Sequence, residues 1–129
     1  TRNDATCLLI VGVDANDDIY LIDAWWEKQP TDKVVTAMLA LIKKHKPLIW
    51  WAEKGHISKS IKPFLRKRMA EERVYCRIDE VTPVANKVQR AQSILGRMAM
   101  KKVMLPKTSP WTQKAVDELL KFHNNDHCK

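Results

Sequence analysis

The sequence predicts one α/β domain in which a mixed sheet is covered by helices. Three observations predict it. The first apolar runs flank a turn rich in Asp and Asn, as in a β-hairpin. Beyond Pro30, stripes of apolar residues at helical spacing alternate with short, continuously apolar runs. The length, 129 residues, fits one domain and can bury a modest core.

Taken in order, residues 6–13 form a strand of largely apolar residues, and residues 14–18 a turn whose Asp and Asn side chains bond locally to backbone. Residues 19–25 return as the second strand. Pro30 and Thr31 open a helix with Val34, Val35, Met38, Leu39, Leu41 and Ile42 on its apolar stripe. Lys43, Lys44, His45 and Lys46 fill its last turn, where cations suit the helix dipole, and Pro47 stops it.

Residues 48–52 read as a strand buried on both faces and ending at Glu53. Gly55 breaks the chain. A second helix carries Ile57, Ile61, Phe64, Leu65 and Met69 inward, and residues 74–78 make the next strand. Thr82 as cap and Pro83 in the first turn start a third helix, with Val84, Val88, Ala91, Leu95 and Met98 apolar. Residues 103–105 suggest a very short strand. Ser109 and Pro110 start a last helix that turns Trp111, Ala115, Leu119 and Phe122 inward.

Lys and Arg number 23 against 15 acids, a formal charge of +8, which either favours a polyanion such as nucleic acid or marks a merely soluble basic domain. Lys87, Arg90, Arg97 and Lys101 lie at helical steps on the third helix, either to track a phosphate backbone or as a solvated face. No apolar run is long enough to span a membrane, so no membrane partner is expected. Three scattered cysteines exclude a disulfide framework, and Cys7 and Cys76, in apolar runs, read as core residues. The tryptophans are assigned to packing before base stacking. The residues His123 and His127 have metal-ligand chemistry without the paired spacing of a zinc site.

Glu53 is the leading candidate for chemistry. It sits where a buried strand ends, the place where ligands collect in open α/β sheets, and its oxygens suit a hard divalent cation. Asp4, just ahead of the first strand, is either a second carboxylate of that site or a loop residue. Asp14, Asp17 and Asp18 belong to the turn.

In order and spacing these motifs resemble the nuclease domain of phage-type terminase large subunits, an RNase H-like fold. Thr6 to Asp23 resembles that domain's second and third strands. Lys46-Pro47-Leu48-Ile49-Trp50-Trp51-Ala52-Glu53-Lys54-Gly55 resembles its next strand, which ends in a metal-binding Glu. Asn86-Lys87-Val88-Gln89-Arg90-Ala91 resembles a Lys-x-x-Arg-Ala helix start. Gly96 to Pro106 resembles the exit to a short Leu-Pro strand, and Glu118, Leu119 and Phe122 a final Glu-Leu-x-x-Phe element. The likeness runs through nearly the whole chain.

The resemblance implies an endonuclease of a phage or prophage that cuts double-stranded DNA with two Mg²⁺ or Mn²⁺ ions during packaging. Glu53 matches the second of three metal-binding acids, and Asp4 a less central acidic position. Lys87 and Arg90 would lie near phosphate. The partners implied are double-stranded DNA, an ATPase motor domain in the same polypeptide, and the portal and small terminase subunit, all in the cytoplasm of a bacterial host. The family's first strand and its acid would precede Thr1, and its Asp-Asp pair would follow Lys129. The expectation is therefore a domain truncated at both ends, in keeping with a sequence that does not begin with Met. A fragment of the same fold that binds DNA without cutting it, and a resolvase- or integrase-like nuclease, are the alternatives.

Overall fold

The computed structural model describes residues 5–54, 61–82 and 95–124, with side chains to residue 118. It is an α/β protein with a mixed sheet and helices, the class expected. Strands β1 (Thr6–Val13) and β2 (Ile19–Glu27) are followed by helix α1 (Thr31–His45), strand β3 (Ile49–Glu53), helix α2 (Ile61–Glu72) and strand β4 (Arg77–Val81). Residues 95–99 are helical, and strand β5 (Val103–Met104) and helix α3 (Thr112–Asn124) complete the described chain.

The strands make two sheets, one of order β1-β2-β5 and one of order β3-β4. The chain divides into two compact units, Thr1–Leu8 with Glu27–Pro83, and Leu9–Trp26 with Val84–Lys129.

In the first unit, α1 forms because Val35, Met38, Leu39, Leu41 and Ile42 fall on one face, and all five are buried. Pro30 caps its start with extended backbone and accepts the Val34 amide at 3.1 Å. The helix ends at Lys46, not within a last turn containing it. Lys46 takes the left-handed conformation (φ 51°) and its N–H returns to the Ile42 carbonyl at 2.8 Å. Two residues later the chain enters β3.

Helix α2 tolerates Pro63 because the first-turn N–H groups have no intrahelical partner. It buries Leu65 and Met69, and Arg68 ties it to α1 through a 3.4 Å bond to the Thr36 hydroxyl. Arg73 (φ 55°) closes the helix, and the Val74 amide bonds the Met69 carbonyl. The β4 strand lies three residues later than its apolar run suggests. Val74 is buried as a loop residue, Tyr75 is exposed, and pairing begins at Arg77. The reason is register: β4 runs parallel to β3 with Ile49 opposite Arg77 and Glu53 opposite Val81. The partner strand, not local hydrophobicity, fixes where β4 starts.

Strand β3 is buried on one face only, which corrects the two-faced expectation. Trp50 and Ala52 are buried, whereas Trp51 is 60% and Leu48 92% exposed. Packing therefore claims Trp50 but not Trp51. Alternation in β1 works the same way. Leu8 and Ile10 are buried, and Cys7, Leu9, Val11 and Val13 are exposed, so Cys7 is not a core residue. Cys76 is half-buried, its Sγ 3.5 Å from the Pro47 carbonyl, and burial pushes its thiol pKa up.

In the second unit the hairpin is fixed by its turn. Asp14 accepts the Asn16 and Asp18 amides at 2.9 and 3.0 Å and the Tyr20 hydroxyl at 2.8 Å. Asp17 adopts a left-handed conformation (φ 65°), which Asp tolerates well. Gly12 lets the strands approach: a Cβ there would stand 3.1 Å from Ile22 Cδ1. The short β5 pairs parallel to β2, Ile19 opposite Val103 and Tyr20 opposite Met104. Helix α3 starts after Pro110 and Trp111, with the Thr112 hydroxyl donating to the Pro106 carbonyl at 2.7 Å. The Lys114 ammonium stands 4.1 Å from the Trp26 ring centre. The side chains of Leu119 and Phe122 lie outside the described residues, as does the third helix before residue 95.

Candidate functional site

Glu53 is the last residue of β3, half-buried, at the carboxyl end of a parallel strand pair. The Lys54 amide bonds the Val81 carbonyl at 2.8 Å, so the strand end is held where the side chain leaves it. Strand alternation puts Glu53 on the same face as Trp51, opposite the buried Trp50 and Ala52.

Register adds a residue that sequence reading missed. Glu53 lies opposite Val81, and Asp79 is two residues earlier on β4, so Glu53 and Asp79 share a face as diagonal neighbours. Placing β4 on residues 74–78 left Asp79 outside the strand. Starting it at Arg77 was the signal that would have found it. Asp79 is engaged: Arg77 Nη2 is 3.1 Å from its Oδ2. At the same end of the sheet, Lys62 of α2 bonds Glu80 at 3.0 Å. A shallow pocket of about 180 Å³ opens between α2 and β4, lined by Lys62, Leu65, Arg66, Ile78, Asp79 and Glu80.

As a metal centre this arrangement is partial. Glu53 fits one oxygen ligand of a hard divalent ion. Asp79 could add a second only by leaving Arg77. Among the described residues no three His, Cys, Asp or Glu side chains converge to hold a metal. A pair of ions, as the resemblance implies, needs more carboxylates than these residues bring together, and no two-metal step is derived from them.

The other sequence-predicted positions fall into two groups. Asp4, Lys87 and Arg90 lie outside the described residues, as do the tail residues from Asn125 onward, including His127. Arg97 and Lys101 belong to the second unit and do not form a common basic stripe. Arg97 is committed to the hairpin turn: its Nη1 donates to the Asp17 carbonyl at 3.1 Å and to Asp17 Oδ2 at 3.0 Å. Lys101 lies past the helix. It is exposed and left-handed (φ 61°), with its N–H bonded to the Met98 carbonyl at 2.9 Å. The expected +4 step from Arg97 therefore carries no helical meaning, because the helix ends at residue 99.

Lys102, not singled out by the sequence, does more. Its ammonium is 2.7 Å from the Asn16 carbonyl and 3.3 Å from Asp18 Oδ1, and its own carbonyl accepts the Ile19 amide. Together Arg97 and Lys102 offset two of the turn's three carboxylates, Asp17 and Asp18. Asp14 in that turn has a lowered pKa, chiefly through the bond to the Asp18 backbone and then the Tyr20 hydroxyl; the same hydroxyl bond raises the pKa of Tyr20.

Comparison of the chain with protein-family models, curated proteins and solved structures finds no match. Among the described residues no helix is long and apolar enough to cross a membrane.

Proposed function

We propose that this chain acts on double-stranded DNA as the nuclease domain of a phage-type terminase large subunit, with Glu53 as an oxygen ligand to Mg²⁺ or Mn²⁺. The observation that carries the reading is the position of Glu53, at the carboxyl end of a parallel strand pair and half-buried. The sheets support it too. A hairpin and a parallel strand pair are both parts of an RNase H-like sheet. The remaining acids of a two-metal set would lie outside the described residues. On this reading an ATPase motor shares the polypeptide, and the portal and small terminase subunit are its partners in the host cytoplasm.

A second reading, a domain that binds DNA without cutting it, is favoured by the engagement of Asp79, the neighbour of Glu53 on the same sheet face, with Arg77.

Plasmid cleavage decides between them. Supercoiled DNA is incubated with the chain and Mn²⁺, with EDTA in place of metal, and with Glu53→Ala. Metal-dependent nicking that disappears in the variant is the expected result. Cleavage that persists undiminished in Glu53→Ala would remove Glu53 from the chemistry. Intact plasmid together with metal-independent, salt-sensitive duplex binding establishes the second reading.

A further inference from the structure

We propose that the solvent face of α2, built on Arg66, Lys67 and Arg73, is a docking surface for the phosphate backbone of duplex nucleic acid. The inference rests on the DNA reading and gives it a location in the same unit as Glu53.

Residues 61–73 hold five cations, Lys62, Arg66, Lys67, Arg68 and Arg73, against two acids, Glu71 and Glu72. Pairing uses up part of this charge. Lys62 bonds Glu80, and Arg68 bonds Glu72 through Nε at 3.0 Å. Arg66, Lys67 and Arg73 are exposed, and among the described residues none of them makes an ion pair. An ordinary solvated helix face offsets its charges at i,i+4. Here Arg66 has Lys62 four residues before it, a like-charge step that opposes the helix, and Ala70 four residues after. Lys67 precedes Glu71 in the weaker orientation and does not close on it. The charge excess is local and is not needed to hold the helix.

Charge and composition select the partner. Arg66 and Lys67 are neighbours on the exposed side of α2, and Arg73 follows its last residue, Glu72, in the left-handed turn that closes the helix. A protein partner would seek apolar anchors at the centre of its contact. This face offers little: Leu65 and Met69 are buried, and Phe64, 37% exposed, has Arg68 over its ring, 5.9 Å from ring centre to guanidinium carbon. A single strand would look for open aromatic faces to stack on, which Arg66, Lys67 and Arg73 do not supply. A charged backbone presented at fixed spacing is the chemistry that remains.

The test is fluorescence anisotropy of a labelled duplex in EDTA, so that binding is read without cutting, over about 50–200 mM salt. Arg66→Gln/Lys67→Gln is compared with the unmutated chain and with Lys101→Gln. Each lost phosphate contact lowers the log–log salt slope by about 0.9. The double variant should therefore lose about 1.8 from the slope, so that its affinity falls roughly 12-fold less over that salt range. Lys101→Gln should keep the original slope, and Glu53→Ala is read by plasmid cleavage with Mn²⁺. Circular dichroism checks that the double variant, altered only at exposed side chains, stays folded. An unchanged slope in the folded double variant overturns the proposal, as does a chain that binds no duplex. Loss of slope alongside normal cleavage by Glu53→Ala would keep the α2 surface and sink the Glu53 assignment; the opposite pair of results would do the reverse.

Discussion

Leu39 and Leu48 make a controlled pair: the same side chain, nine positions apart, at opposite extremes of burial. Leu39 is 1% exposed on the inner face of α1 and Leu48 is 92% exposed at the entrance to β3. Truncating Leu39 to alanine removes a fully buried isobutyl group and leaves a cavity, a loss of about 3 kcal/mol with a range of roughly 2–5. Truncating Leu48 removes contacts it does not make and should move stability by less than about 0.5 kcal/mol. In urea, with a slope near about 2 kcal/mol per M, the Leu39→Ala midpoint falls by roughly 1.5 M while that of Leu48→Ala stays in place. Tryptophan fluorescence during equilibrium unfolding reads both, and Trp50, itself buried, reports on the same core. Equal destabilisation by the two changes would refute the exposure of Leu48 at the entrance to β3. A harmless Leu39→Ala would refute the core assignment of α1.

Two further outcomes are expected. The Tyr20–Asp14 bond should appear in a titration. Its contribution on the tyrosine side is present below the ordinary value of about 10 and is lost as pH rises through the higher folded value. On the carboxylate side it is present above about 3.9 and is lost as pH falls through the lowered folded value. In a Tyr75→Phe background, ultraviolet absorbance should show Tyr20 ionising above the usual range, and Asp14→Asn should bring it down; an Asp14→Asn curve that does not move would show the bond is not made. Lys46→Gly should raise stability by about 1 kcal/mol, because the left-handed backbone costs a lysine that much and costs glycine nothing. A lower urea midpoint for that variant would mean that the charge of Lys46 at the helix end outweighs the backbone strain.

Local signals gave most of the elements. The turn at Asp14–Asp18, the five-residue stripe of α1 and the stop at Pro47 each depend on neighbours a few positions away, so a pattern of residue types is enough to see them. Signals that depend on a distant partner were not legible. The β4 boundary is one, because Val74 and Tyr75 look like strand residues until β3 sets the register from Ile49 and Arg77. The companionship of Glu53 and Asp79 follows from the same register. The double-sided burial read into residues 48–52 failed because apolar content says nothing about which face finds a cover. In the basic stripe, helical spacing was extrapolated past residue 99, where the backbone leaves the helix, and the commitment of Arg97 to Asp17 joins residues 80 positions apart. The choice of Glu53 as candidate rests on a purely local rule, a carboxylate where an apolar run stops.

The contacts of Arg97 and Lys102 with the hairpin turn have a consequence for the order of assembly. They join residues 80 and 86 positions apart, and β5 reaches β2 across a similar interval. The first unit draws most of its residues from one uninterrupted stretch, 27–83, whereas the second joins two distant stretches, 9–26 and 84–129. At roughly 5–20 residues per second on the ribosome, the hairpin waits about 4–16 s for Arg97 and Lys102 to be made. During that interval the outer side of β2 lacks its neighbour, while Leu9, Val11 and Val13 are exposed on β1 as they remain in the finished fold. Closure of so long a loop comes late and slowly. The nascent hairpin is thus the segment most open to wrong pairing or to capture by a chaperone, and the four-acid-and-amide turn, held by its own side chains, keeps it in register until the rest of the chain arrives.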